Sequence, residues 1–214
     1  AIIPYLVYQR QDHIFREFER VSIEVIIKLL ESVGIDKIIT FDLHSVRIPE
    51  LFRVPVIHLS ALSLFADKIK QNQWSKTDTS LISPDMGGIR RIKILSQVLN
   101  GMPYAIIEKN RNLKSGAISI DDIQGATKKR AVIVDDMIST GTTIIRAAEL
   151  LSKKGVEEIF VFATHAVFSD NATQMLQGSV VQKVCVTNTI DVASEKYFPK
   201  IEVLSVAGMI AEEL

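Results

Sequence analysis

Ala131-Val-Ile-Val-Asp-Asp-Met-Ile-Ser-Thr-Gly-Thr-Thr143 is the stretch on which the fold turns. Its four apolar residues at 131–134 have the length of a buried strand. Two carboxylates, Asp135 and Asp136, follow at once. Ser139, Thr140, Gly141, Thr142 and Thr143 then open a helical pattern. Ile144, Ala147, Ala148 and Leu151 fall at helix spacing, and Gly155 is the stop. A strand that turns through small hydroxyl residues into a helix N-terminus builds an anion site: the first N–H groups point outward and the helix dipole favours negative charge. Gly141 lets the backbone approach closely. The carboxylates can accept from sugar hydroxyls beside a bound phosphate. A plain helix cap needs one side-chain oxygen, and this stretch supplies hydroxyls and carboxylates at six positions. The residues therefore read as a cradle for a phosphorylated sugar.

Strand and helix patterns alternate on either side of the cradle. Strands are expected at 1–5, 37–41, 56–59, 81–83, 104–107, 159–162, 180–186 and 201–204. Helices are expected from 22, capped by Ser22 and ended by Gly34, and then at 61–69, 88–99, 171–176 and the C-terminus. Residues 108–122 read as a polar loop. Such alternation predicts an α/β fold with parallel sheets flanked by helices. The polar clusters at 42–44, 83–85, 135–136, 164–165 and 187–189 each follow an expected strand, so they mark one working rim at the strands' carboxyl ends. Ile38-Ile-Thr-Phe-Asp42 echoes Ala131-Val-Ile-Val-Asp135, as two copies of one domain would.

Composition narrows the function. The chain has 214 residues, 47% of them apolar, and 25 basic residues balance 25 acidic ones. Zero formal charge argues against a nucleic-acid surface. No run reaches membrane-spanning length, and the expected setting is cytoplasmic. The single cysteine, Cys185, excludes an intrachain disulfide and reads as part of a buried strand. No Gly-x-x-x-x-Gly-Lys loop is present, so a Walker A nucleotide site is excluded.

Several polar groups read as candidates for chemistry. Arg10, Gln11 and Asp12 place a cation, an amide and a carboxylate in one loop; an Arg can pair with phosphate in bidentate fashion. His44, two residues after Asp42 at a strand end, can hold a metal or a phosphate oxygen. Asp85, leading Gly87-Gly88 into a helix, offers the hard oxygen that Mg²⁺ prefers. Lys109 and Arg111 begin the long loop and are placed like the cations of a closing lid. His58 and His165 read as structural.

Together these pieces resemble the ribose-phosphate pyrophosphokinases, most closely their archaeal-type branch; the cradle alone resembles the ribose-phosphate loop of the type I phosphoribosyltransferase fold. The resemblance runs from Pro4-Tyr5 through Arg10-Gln-Asp12, Asp42-Leu-His44, Ser83-Pro-Asp-x-Gly-Gly88, Lys109-x-Arg111 and the cradle to Thr187-Asn-Thr-Ile190 and Leu204-Ser-Val-Ala207. Ser139 and Thr142 stand where much of that family has Asp and Gly; Phe18 and Asn110 replace a glycine and a basic residue. The resemblance implies two tandem phosphoribosyltransferase-like domains, the first incomplete: 1–56 on the ATP side and 57–214 on the ribose 5-phosphate side, with the last helix packing back on the first domain. It implies transfer of the diphosphoryl group of ATP to C1 of ribose 5-phosphate, with Mg²⁺ as cofactor and a homo-oligomer, dimer or hexamer, as the assembly. Arg10, Gln11, Asp12 and His44 would contact ATP, His44 and Asp85 would serve the metal, and Lys109 and Arg111 would be catalytic. Asp135, Asp136, Ser139, Thr140, Gly141, Thr142 and Thr143 would hold ribose 5-phosphate. The family's strand-rich leading segment is missing before Pro4-Tyr5, so the chain is expected to be a fragment without turnover of its own. A phosphoribosyltransferase and a non-catalytic regulatory relative are the rival expectations.

Overall fold

The computed structural model describes residues 1–13, 21–108 and 122–214. The chain divides into two compact units: Ala1–Ala61 with Ser205–Leu214, and Leu62–Leu204.

The first unit is built on helix α1, Ser22–Ser32, and two parallel strands, β1 (Ile38–Phe41) and β2 (Val56–Leu59), paired from Ile38↔Val56 to Phe41↔Leu59. The strand at 56–59 thus lies in this unit, pairing with β1. Ile23 and Ile27, one turn apart on α1, bury against Leu6, Ile38, Leu43, Ile48 and Phe52. Two expectations change here. Residues 1–5 form no full strand but one parallel bridge, Ile2↔Ile39, with the Ile3 N–H donating to the Ile39 carbonyl at 2.9 Å; Pro4 has no N–H with which to extend the ladder. Ser22 is the first residue of α1 rather than its cap, and Val21 in the cap position offers no side-chain oxygen. Gly34 does follow the helix, at φ 80°. The last helix, α6 (Ala207–Ala211), is a single short turn in this unit's C-terminal segment.

The second unit carries a seven-stranded sheet. In chain order its elements are α2 (Leu62–Gln71), β3 (Thr79–Ser83), α3 (Ile89–Val98), β4 (Tyr104–Glu108) and β5 (Asp122–Gly125). Then follow β6 (Arg130–Ile138), α4 (Thr142–Lys153), β7 (Glu158–Ala166), α5 (Ala172–Gly178), β8 (Lys183–Thr187) and β9 (Ile201–Leu204). The spatial order is β5-β4-β3-β6-β7-β8-β9, and every pairing is parallel except β4 with β5. β5 is absent from the sequence expectation, which ran its first residue into a polar loop. Its four residues, Asp-Ile-Gln-Gly, lack both length and apolar alternation because the strand lies on the sheet's outer edge.

Chain connection fixes where this sheet can bind. From β3 the chain passes through α3 to β4 on one side; from β6 it passes through α4 to β7 on the other. β3 and β6 are neighbours, in register from Thr79↔Arg130 to Ile82↔Ile133. Their carboxyl ends are therefore the switch point at which an open parallel sheet leaves a crevice. Beneath that rim the core is continuous: Ile82, Ile133, Val161, Val184, Ile144, Ala148 and Leu151 are all buried, each large aliphatic contributing about 1.5–3 kcal/mol.

At the opposite end of the strands sits the chain's one tryptophan. The Trp74 ring centroid is 4.3 Å from that of Phe160, and the Arg130 guanidinium lies 5.3 Å from the Trp74 ring. Arg130 is held by Glu158, to which its Nε donates at 2.5 Å, and by Asp78 at 3.1 Å. Among the described residues no helix is long and apolar enough to cross a membrane.

Candidate functional site

Strand β6 runs further than its apolar residues suggest. It continues through Asp135 and Asp136 to Ile138, paired with β7 as far as Ile138↔Ala166. The two carboxylates are thus strand residues, held by a ladder on the rim of the sheet. Asp136 is buried and Asp135 half-buried. The Asp136 N–H donates to Asp135 Oδ1 at 2.9 Å.

Arg91, in the first turn of α3, faces this pair. Its Nη1 lies 3.4 Å from Asp135 Oδ1 and its Nη2 3.6 Å from Asp136 Oδ1. One guanidinium balances two carboxylates. Burial, and next the charge of Asp136, hold the Asp135 carboxyl well above the usual carboxylate range, and Arg91 offsets this only in part. Two neighbouring carboxylates held in this way are an arrangement that a cation or sugar hydroxyls would suit. Sequence reading missed Arg91. Its signal was Arg90-Arg91 in a helix's first turn, where the dipole disfavours cations unless carboxylates stand nearby.

The turn after β3 brings the third carboxylate to the same rim. Ser83 Oγ donates to the Asp85 carbonyl at 2.7 Å, and Asp85 Oδ1 accepts from the Gly87 N–H at 3.0 Å. Gly88 has no room for a side chain, because an added Cβ would overlap Ser83 Oγ and reach within 3.4 Å of Arg91 Nη1. The glycine thus lets the turn pack tightly while Arg91 passes beside it.

Residues 139–143 form the loop from β6 into α4. Gly141 occupies the N-cap position at φ 77°, left-handed backbone that favours glycine, and contributes no side-chain cap. Thr142 and Thr143 are the first residues of α4. Thr140 Oγ1 lies 3.1 Å from Thr142 Oγ1. Ser139 Oγ lies 2.9 Å from Ser169 Oγ, in the turn after β7. Asp85, Asp135, Asp136 and 139–143 are thus together on the rim of one sheet, at its switch point.

Behind the rim a buried polar network joins β7 and β8. The hydroxyls of Thr187 and Thr189 donate to the Thr164 carbonyl at 2.7 and 3.1 Å, and His165 Nδ1 lies 2.9 Å from Thr189 Oγ1. His165 is fully buried there, as its structural reading expects.

The candidates at 10–12 and 44, with Asp42 and His58, lie in the first unit. Arg10 and Gln11 are exposed, and the Gln11 N–H closes a turn onto the Tyr8 carbonyl at 2.8 Å. Asp12 Oδ1 is 2.5 Å from His13 Nδ1. His44 is exposed after β1, and its N–H donates to the buried Gln9 Oε1 at 2.8 Å. Asp42 accepts from Ser60 Oγ at 2.6 Å and from the Ala61 N–H at 2.9 Å, while His58 Nε2 accepts from the Leu43 N–H at 2.9 Å. Both serve the fold. Lys109 and Arg111 lie outside the described residues, as do Asn110 and Phe18. Among the described residues no three potential ligands cluster closely enough to hold a metal by protein groups alone.

The chain is similar over its whole length to known proteins. The family model of the phosphoribosyl synthetase-associated domain matches residues 63–214. The ribose-phosphate pyrophosphokinase of Aquifex aeolicus is 37% identical over the whole chain, which covers 68% of it. Ribose-phosphate pyrophosphokinase 1 of Arabidopsis thaliana, a chloroplastic protein, and the Synechocystis enzyme are 35% and 36% identical. The chain spans 53% and 64% of their lengths. The crystal structure of phosphoribosylpyrophosphate synthetase from Mycobacterium smegmatis superposes on all of this chain with a TM-score of 0.90 and 35% identity, and 69% of that protein is covered.

Proposed function

The chain belongs to the ribose-phosphate pyrophosphokinase family, and from that premise we propose that its protein transfers the diphosphoryl group of ATP to the C1 hydroxyl of ribose 5-phosphate. The observation that carries this is the switch point of the seven-stranded sheet, where a carboxylate pair stands beside a glycine-capped helix N-terminus. The N–H groups that open α4, with the hydroxyls of Thr140, Thr142 and Thr143, receive the 5-phosphate. Asp135 and Asp136 accept hydrogen bonds from the ribose hydroxyls, and Arg91 keeps them balanced when no sugar is bound. Ser139 stands with those threonines on the 5-phosphate side, and its hydroxyl also meets that of Ser169.

The C1 oxygen attacks the β-phosphorus of ATP, the bond from that phosphorus to the α-phosphate oxygen breaks, AMP leaves with that oxygen, and the hydroxyl proton is released to solvent. Catalysis of such a transfer is positioning plus charge stabilisation. Lys109 and Arg111 supply cations to the transferring group, and Arg10, Gln11, Asp12 and His44 hold the nucleotide. Asp85 fits a Mg²⁺ ligand: one carboxylate oxygen is fixed by the Gly87 N–H, which leaves a single hard-oxygen donor for an ion that completes its shell with water and phosphate. His44 is the second candidate ligand. When bound, Mg²⁺ neutralises phosphate charge.

The test supplies ATP, Mg²⁺ and ribose 5-phosphate to the intact protein and follows AMP release without any added base. AMP formed in step with phosphoribosyl pyrophosphate supports the proposal. A protein that releases none, yet consumes phosphoribosyl pyrophosphate once a base is added, is a phosphoribosyltransferase instead.

A further inference from the structure

The turn after β7 does more than lead into α5. Phe168 and Asp170 have φ of 43° and 52°. Left-handed backbone is uncommon at residues other than glycine, and it persists only where the surroundings over-determine it. Between them lies Ser169, and the bonds of this segment converge on the loop that leaves β6. The Phe168 N–H donates to the Ile138 carbonyl at 2.9 Å, and the Ser169 N–H donates to the Ser139 carbonyl at 3.1 Å. The two serine hydroxyls meet at 2.9 Å. These bonds carry the β6–β7 pairing past its last ladder pair, Ile138↔Ala166, up to the residue before Thr140.

The turn is itself anchored from below. The Phe168 side chain is buried, its ring edge-on to Phe198 with centroids 6.2 Å apart. Lys196 Nζ donates to the Val167 carbonyl at 3.3 Å, and the Ala172 N–H donates to the Ser169 carbonyl at 3.2 Å. The helix that follows supports the far side of the same loop: a Cβ built on Gly141 would lie 3.7 Å from Leu176 Cγ and 3.9 Å from Ala172 Cβ.

We infer that the turn at 168–170 is the element that sets the geometry of the 139–143 loop, and that Ser169 is its positioning residue. This rests on the proposed use of that loop as the sugar-phosphate cradle. Ser169 touches no substrate. It fixes Ser139, and through Ser139 the direction in which the first N–H groups of α4 present themselves.

The test titrates the intact protein with ribose 5-phosphate and, separately, with ATP and Mg²⁺. Ser169→Ala should weaken ribose 5-phosphate roughly fivefold, the range of one neutral hydrogen bond, with ATP affinity unchanged. Ser169→Thr keeps the hydroxyl and should restore the affinity. The double variant Ser139→Ala with Ser169→Ala should bind no more weakly than the poorer single, because both remove one interaction. Unchanged ribose 5-phosphate affinity in Ser169→Ala, a loss that Thr does not rescue, or an equal loss for ATP would each overturn the inference. Thr140→Val with Thr143→Val separates it from its premise. If that variant loses affinity and Ser169→Ala does not, only the positioning role fails; if that variant also binds normally, the cradle itself fails and the inference with it.

Discussion

Asp42 and Asp135 end strands of nearly the same sequence pattern, one in each unit, and the fold treats them in opposite ways. The Asp42 carboxylate accepts from the Ser60 hydroxyl and the Ala61 N–H. These two neutral donors, both of the same unit, lock the chain after β2. Asp135 receives one N–H from its neighbour and a guanidinium shared with a second carboxylate. Burial leaves its carboxyl well above the usual range. The first aspartate stabilises the fold, whereas the second is held at some cost to it, as groups kept ready for a ligand commonly are. A strand-then-Asp pattern therefore gives the place of a carboxylate but not its use; the donors around it decide that.

The largest effect that would break this contrast is expected at Asp135. A carboxyl held above its ordinary value binds its proton more tightly in the folded chain than in the unfolded one. The stability it contributes is thus complete below the ordinary carboxylate range and is lost as pH rises through the raised value. Asp135→Asn should raise the melting midpoint at neutral pH by about 2–4 °C, and the gain should vanish in acid. The same variant should weaken ribose 5-phosphate by roughly 10- to 100-fold, the loss of a charge-assisted hydrogen bond. Calorimetric titration and melting across pH check both; a variant that is less stable at neutral pH would make Asp135 a second Asp42.

Asp42→Ala should act in the reverse sense. It removes two hydrogen bonds to a buried carboxylate and places alanine at φ 31°, for a loss of about 3 kcal/mol. Urea unfolding measures it, and ribose 5-phosphate affinity of the folded protein should be unchanged.

Glu202 tests whether donors, rather than the unit, decide the outcome. Burial pushes its carboxyl up, but hydrogen bonds from Lys183 and Lys68 outweigh this and hold it below the ordinary value. Its stabilisation is present above the ordinary carboxylate range and is lost as pH falls through the lowered value. Glu202→Gln should therefore cost about 1 kcal/mol at neutral pH and little in acid, a difference that denaturation at two pH values reads. The smallest signal is at Cys185 beside it, whose thiol burial and the Glu202 charge push up to about 12. It remains protonated at pH 8, so iodoacetamide should label it far more slowly in the folded protein than in urea; equal rates would mean that this part of the sheet opens freely.

The rim of the second unit was legible because its chemistry is local. A buried strand, two carboxylates and a hydroxyl-rich helix start are consecutive in sequence, so the pattern 131–143 carries its own geometry. What stayed hidden depends on partners distant along the chain. Arg91 reaches its carboxylates over more than forty positions, and Ser169 meets Ser139 across thirty. No spacing rule links either pair. β5 was missed because an edge strand needs few apolar residues, and the strand expected at 1–5 shrank to one bridge at Pro4. Asp42 looked like the companion of His44 because the two are close in sequence, whereas the Ser60 hydroxyl and the Ala61 N–H, which follow β2, donate to it.

The lone tryptophan turns the division of the chain into an optical property. Trp74 packs against Phe160 with the rings tilted at 45° and lies beside the Arg130 guanidinium, contacts that all belong to the second unit. Its emission reports whether the amino ends of β6 and β7 are intact and is blind to the first unit, which contains tyrosine but no indole. A titration in which peptide circular dichroism falls before the tryptophan emission shifts would show the first unit melting by itself. Coincident curves would show the two halves sharing a single transition, obtained without attaching any label.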